Sequence, residues 1–185
     1  ISRILDCILN QTVLPDEIII ADGGSTDKTV EIIHGYTQKL PLKILQIGPA
    51  YPGKGRNSAI NEAAFEIIAM TDAGVTLKPD WFESLISPFK NDEKIEVVFG
   101  GFRPKCTNKY LEAVSLFVAN EKDIKFKFHY PTTTSLAIKK TLYEELGGCP
   151  SNLRAAEDAV FFRRLFEKNI KYTVAPSAVV DWEMD

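Results

Sequence analysis

Glu17-Ile18-Ile19-Ile20-Ala21-Asp22-Gly23-Gly24-Ser25 is the stretch that decides the fold. Residues 17–21 form a short β-branched run closed by turn formers. That is the pattern of a parallel-sheet strand buried on both faces, which needs no polar alternation. Asp22 stands at the carboxyl end of that strand, and the two glycines after it let the backbone turn and let a ligand approach closely. A carboxylate there can accept from a ribose hydroxyl or a base N–H. It can equally close an Asx-type turn, with Asp27 near the next helix.

Upstream, Ile1, Ile4, Leu5, Ile8 and Leu9 fall at i, i+3, i+4, i+7 and i+8, one apolar stripe of an amphipathic helix that Pro15 ends. Such a helix normally crosses over from an earlier strand of the same sheet. None precedes Ile1, so a first strand is expected to be missing from this chain. Downstream, residues 26–36 read as a helix capped by Ser25 or Thr26, and residues 43–47 as a second strand. A Gly- and Pro-containing loop follows over 48–55, then a helix over 56–66 and a strand over 67–71. Later elements are expected as helices near 80–89, 110–120 and 156–168, a strand at 95–100, a strand-helix unit at 135–146, and strands near 172–174 and 178–182. Strand and helix alternate at βαβ spacing, which predicts a mostly parallel sheet flanked by helices on both faces. Ligands then gather at the carboxyl ends of its strands.

The 185 residues fit one domain, residues 1–185, without disulfides or a structural metal. A composition 45% hydrophobic and 25% charged is that of a globular chain rather than a disordered one. The net charge of −3 argues against nucleic acid as a partner, so any phosphate recognition is local. Cys7, Cys106 and Cys149 are odd in number and far apart, which suggests reduced thiols in the cytoplasm. No apolar run is long enough to span a bilayer, so membrane association would need segments outside this chain.

Four further segments place chemistry on this frame. Gly53-Lys54-Gly55-Arg56-Asn57 is a basic, glycine-rich stretch opening a helix, an arrangement suited to an anion but lacking Walker A spacing. Asp72-Ala73-Gly74 ends the strand at 67–71 and puts a carboxylate on the sheet edge, where Mg²⁺ or Mn²⁺ takes a carboxylate plus phosphate oxygens and waters. Gly147-Gly148-Cys149-Pro150 makes a turn. Glu157-Asp158 then opens an amphipathic helix, where acidic residues also suit the helix dipole.

Taken in order, these segments resemble the family 2 glycosyltransferases of GT-A fold, in which D-D-G-S-x-D, A-R-N-x-G, D-x-D, G-G-F and E-D segments follow one another. The resemblance covers essentially the whole chain and implies a Rossmann-like nucleotide-binding half plus an acceptor half. It implies a nucleotide-diphosphate sugar donor, a saccharide or lipid-linked acceptor, and a divalent metal, Mg or Mn. Asp22 would contact the nucleoside, Arg56 the base or diphosphate, Asp72 the metal, and Asp158 would be the catalytic base, with Glu157 supporting the site or touching the acceptor. Lys54 is added from local chemistry alone. Trp81 and Trp182 are candidate faces for an acceptor sugar, as is the aromatic segment Phe126-Lys127-Phe128-His129-Tyr130.

Gly23 and Gly74 stand where the family carries aspartates, the latter as in a D-A-G subgroup, and the initial P-x-Y-N strand is absent. Val180-Asp181-Trp182-Glu183 stands where some members place a histidine. The implied reaction is inverting: an acceptor hydroxyl attacks the anomeric carbon, one base takes its proton, and the leaving diphosphate needs charge rather than a proton. The alternatives are a catalytically degenerate nucleotide-sugar-binding protein and a sugar nucleotidyltransferase. The second would want an N-terminal phosphate loop that residues 1–10 do not offer.

Overall fold

The computed structural model describes residues 1–118 and 131–184, and the aromatic segment at 126–130 lies outside them. The expected alternation holds through the first half: helix α1 (Ser2–Leu9), strand β1 (Ile18–Asp22), α2 (Thr29–His34), β2 (Leu42–Gln46), α3 (Pro52–Glu62) and β3 (Ile67–Met70). β1 and β2 pair in parallel, Ile18 opposite Leu42 through Asp22 opposite Gln46.

Beyond β3 the sheet is mixed rather than mostly parallel, and the sequence-based expectation is corrected. β4 (Val75–Leu77) follows β3 after only a short turn, with no helix to carry the chain back across the sheet. Strands joined without a crossover of a dozen or more residues do not pair in parallel as neighbours. β4 instead pairs antiparallel with the last strand, β7 (Tyr172–Met184). Then come α4 (Trp81–Asn91), β5 (Val97–Cys106), α5 (Lys109–Val118), a single 3-10 turn (Thr133–Ser135), β6 (Leu136–Lys139), α6 (Lys140–Glu145) and α7 (Glu157–Glu167). Strand order is β3-β6-β5-β7-β4, parallel only between β5 and β7.

The two strands expected near the C-terminus are one long β7, interrupted in its pairing. Val97–Phe99 pair with Tyr172–Val174, and Gly101–Cys106 pair with Val179–Met184, so the register shifts around Gly100. Pro176 lies in that irregular stretch, where a missing N–H disrupts no ladder. A Cβ on Gly100 would sit 2.1 Å from Ser135 Oγ and 2.3 Å from the Ala178 carbonyl oxygen. Only glycine lets the 3-10 turn and β7 approach so closely there.

Side chains alternate across the sheet as the pleat requires. Val98, Ala137 and Val180 join α1 and α4 in one core around Leu5, Trp81 and Leu85. Val97, Phe99, Leu136 and Ile138 join α6 and α7 in the other, around Leu142, Phe161, Phe162 and Leu165. The β1-β2 pair and the five-stranded sheet share no strand hydrogen bonds. The Ala64 N–H donates to Glu17 at the start of β1 (2.9 Å), just ahead of β3, so both strands begin at the same end.

Candidate active site

Helix α3 begins at Pro52, earlier than the loop expected over 48–55 allowed. Proline at the first helical position is already set at helical φ and lacks an N–H the helix would leave unused. Gly53, Lys54 and Gly55 are therefore in the first turn, and Arg56 projects from the helix rather than from a loop. Its guanidinium donates to Asp72 Oδ1 (3.0 Å) and makes a close ion pair with Glu157 Oε1. Asp72 comes from the turn after β3 and Glu157 from the first turn of α7, so one residue ties three elements together.

Burial works against the Arg56 charge, but Asp72 and Glu157 together outweigh it and hold its pKa above the ordinary value. Glu157 is only 5% exposed, whereas the Asp72 side chain is about half open to solvent. The other Asp72 oxygen, Oδ2, accepts from the Thr134 hydroxyl at 2.8 Å. A buried carboxylate and a guanidinium in contact compensate each other's desolvation, and Glu157 without Arg56 would be a buried unpaired charge.

Asp158 follows Glu157 in the first turn of α7 and accepts from the Ala159 N–H at 2.8 Å. Burial pushes its carboxyl pKa up; the Ala159 hydrogen bond opposes this, the neighbouring Glu157 charge adds to it, and Arg56 opposes it. A carboxylate raised in this way is a better proton acceptor than an exposed aspartate. Ala156 precedes it at φ 63°, a left-handed residue that turns the chain into α7.

The loop before α7 is held from three sides. Asn57 donates to the Cys149 carbonyl (2.8 Å) and Ser151 Oγ (3.1 Å), and its Oδ1 accepts from Tyr143 (2.7 Å) and the Cys149 N–H (3.0 Å). Arg164 donates to the carbonyls of Leu146 and Gly148, at 3.1 and 2.9 Å. Gly53 lies so close below the loop that a Cβ would meet the Pro150 carbonyl oxygen at 2.1 Å. Burial raises the pKa of both Tyr143 and the Cys149 thiol, so Cys149 stays protonated and is a structural residue.

A cleft of about 1100 Å³ runs between β1 and β3, lined at one end by Gly23, Tyr51, Arg56 and Asp72. Asp22 is buried, and its carboxylate accepts from the N–H of Gly24 (3.3 Å), the N–H of Ser25 (3.2 Å) and the Ser25 hydroxyl, the Asx-type arrangement open on the sequence. Lys54 is exposed on α3. Trp81 is 4% exposed, and its indole N–H donates to Ser135 Oγ (2.9 Å). A ring so covered has no face for an acceptor sugar, which corrects that expectation. Trp182 is partly exposed and packs edge-on against Phe102.

The structure thus gathers Arg56, Asp72, Glu157 and Asp158 at one place. No role was assigned to Thr134 or Asn57 from the sequence. Asn57 had a signal, lying beside Arg56 in the motif, whereas Thr134 sits in Thr132-Thr133-Thr134-Ser135, a run with no local pattern.

Among the described residues no group of three or more His, Cys, Asp or Glu is placed to hold a metal. Asp72 fits a single-carboxylate anchor of the kind a hard cation accepts when phosphate oxygens and water complete its shell. A Cβ added at Gly74 would meet nothing within 4 Å, so space is open beside it. Among the described residues no helix is long and apolar enough to cross a membrane.

Residues 1–166 match the sequence model of "Glycosyl transferase family 2". The chain belongs to this family. Family 2 is a family of inverting hexosyltransferases. Its relatives include "Probable glycosyltransferase YdaM" of Bacillus subtilis, 28% identical over 91% of this chain and 43% of that protein. Another is "O-antigen chain rhamnosyltransferase RfbN" of Salmonella typhimurium, 26% identical over 96% of this chain and 60% of that protein. The chain therefore spans about half the length of these relatives. In fold it is similar to S. aureus TarS 1-349 in complex with UDP, with a TM-score of 0.78 at 19% identity, covering 100% of this chain and 56% of that one. It is also similar to the mannosyltransferase PcManGT from Pyrobaculum calidifontis in complex with GDP-Man and Mn²⁺, with a TM-score of 0.69 at 20% identity, covering 98% and 52%. These likenesses establish the α/β fold of the family 2 chain.

Proposed function

We propose that this domain transfers a sugar from a nucleoside diphosphate sugar to an acceptor hydroxyl with inversion. The observation that carries this reading is the Arg56–Asp72–Glu157 cluster: Arg56 and Asp72 line one end of the cleft, and Glu157, paired to Arg56, is followed directly by Asp158, a base of raised pKa. Asp158 takes the acceptor's proton as its oxygen forms a bond to the anomeric carbon. The bond from that carbon to the diphosphate breaks, and the diphosphate leaves with both electrons. That group needs charge rather than a proton, so no general acid is required. Arg56 and Lys54 on the same helix are the chain's own cations for it, and because Asp72 and Glu157 offset the Arg56 charge, a cation at Asp72 would supply the rest.

Asp72 would hold a divalent cation, Mg²⁺ or Mn²⁺, which when bound supplies Lewis-acid neutralisation of the two phosphates. Asp22, expected to contact the nucleoside, would act on it through the turn its carboxylate closes at Gly24 and Ser25, beside Gly23 in the cleft lining. Glu157 is assigned to holding Arg56 rather than to proton transfer, because it is buried and paired. Trp182 is the aromatic candidate for the acceptor side. The acceptor would be a saccharide or a lipid-linked acceptor, reached from the cytoplasm or the cytoplasmic face of a membrane, in the assembly of cell-surface polysaccharide or glycolipid.

We also infer that the cleft between β1 and β3 takes a further extended strand, parallel to both. Ile18–Ile20 of β1, Ile67–Met70 of β3, and Ile4, Ile8, Phe82 and Phe89 from the helices line it, so the strand would be apolar on both faces. Its place is where a right-handed crossover through α1 to β1 would start.

A thermal-shift screen of nucleotide sugars, with and without Mn²⁺, tests the reading. A donor-specific and Mn²⁺-dependent rise in Tm is expected. No shift with any donor, for a protein that carries the filled cleft, would overturn it. Donor binding without transfer or donor hydrolysis would favour a degenerate binding protein, which the glycines at 23 and 74 would then explain.

A further inference from the structure

Thr134 donates its hydroxyl to Asp72 Oδ2 at 2.8 Å, while Arg56 donates to Oδ1 at 3.0 Å. Two donors on the two oxygens fix the rotation of a carboxylate that one donor would leave free. The two contacts differ in kind. Arg56 brings a positive charge that competes with any cation for Asp72, whereas a hydroxyl brings none. A carboxylate has about four lone-pair positions, so two remain after both contacts, on a side chain that is 43% exposed.

Thr134 is itself held firmly. It is the middle residue of the 3-10 turn, and its N–H donates to Thr132 Oγ1 at 3.3 Å. Its neighbours Thr133 and Ser135 are 1% and 3% exposed. Ser135 Oγ accepts from the Trp81 indole and donates to the Ala178 carbonyl at 2.8 Å, and Gly100 gives it the room to do so. A rigid core turn thus delivers one hydroxyl to one carboxylate.

We propose that Thr134 is a positioning residue for Asp72, holding the carboxylate in the orientation in which it anchors the cation of a metal–nucleoside diphosphate. The inference rests on the reading of Asp72 as that anchor. It adds a residue that sets how tightly the site holds its cation, a role in which an outer hydrogen bond is commonly worth about tenfold or more in affinity.

The test is calorimetric binding of UDP and GDP, each with and without Mn²⁺, to the wild-type protein and to Thr134→Val, Thr134→Ser and Asp72→Asn. Valine keeps the shape of threonine and removes the hydroxyl. Thr134→Val is expected to weaken the Mn²⁺-dependent part of binding about tenfold while leaving metal-free nucleotide binding unchanged, with Thr134→Ser close to wild type. In turnover assays the loss should be recovered at higher Mn²⁺, appearing in the metal activation constant more than in kcat. Wild-type Mn²⁺ dependence in Thr134→Val, together with its loss in Asp72→Asn, would overturn this inference and leave the reading of Asp72 standing. If Asp72→Asn keeps the Mn²⁺ dependence, both fall. A serine variant as weak as the valine variant would reduce Thr134 to packing and also overturn the inference.

Discussion

At Arg56 a single guanidinium answers two carboxylates that lie 16 and 101 residues away in the chain. Truncation to alanine leaves Glu157 buried and unpaired, so Arg56→Ala should cost about 3–5 kcal/mol in chemical denaturation as well as donor affinity. Arg56→Lys should recover part of the stability, because an ammonium cannot fork between both partners. Asp158 makes a separate prediction about pH. Its pKa is raised in the fold, so its neutral form favours the folded state: that contribution is present below the ordinary value of 3.8 and is lost as pH rises through the raised value. As a base it must be ionised, so kcat/KM should fall on the acid side with an inflection above 3.8. Glu157→Gln removes a charge that raises the Asp158 pKa, and should move that inflection down. An upward move in the pH-rate profile would contradict the assignment.

At the scale of elements, the glycines mark where one element lies against another. A methyl group at Gly100 would collide with Ser135 and Ala178, and Gly100→Ala should destabilise by about 1–3 kcal/mol or more. Gly74→Ala, by contrast, should stay within about 0.5 kcal/mol of wild type, because nothing lies within 4 Å of its Cβ. Thermal denaturation of the two variants separates a packing glycine from one that packing does not require. The same contrast shows what was legible in the sequence. The β-branched run at β1, the apolar stripe of α1 and the order of Asp22, Arg56, Asp72 and Asp158 could be read locally. The antiparallel placement of β6 beside β3, the fusion of two strands into β7 and the burial of Trp81 could not. Each depends on which distant segment becomes the neighbour, and a single strand's pattern is the same for either direction of pairing. Thr134 was invisible for the same reason, since its partner lies 62 residues away.

For the molecule as a whole, the decisive feature is that two sheets enclose an apolar cleft opening on the charged cluster. Apolar walls of this extent are costly in water, so residues 1–185 alone should bind a hydrophobic dye such as ANS. An apolar strand joined ahead of Ile1 should suppress that binding and raise Tm; unchanged dye binding would mean the cleft is not built for a strand. The polar end of the cleft is independent of that outcome, because Arg56 ties Asp72, in the turn after β3, and Glu157, at the start of α7, to α3. The central claim is that Asp158 is the base of a sugar transfer for which Arg56 and Asp72 hold the donor. It is tested most directly by comparing Asp158→Asn with wild type for donor affinity and for nucleoside diphosphate release in the presence of acceptor. Unchanged donor affinity with turnover reduced about 10²–10⁴-fold is the predicted result, and turnover at the wild-type rate would contradict it.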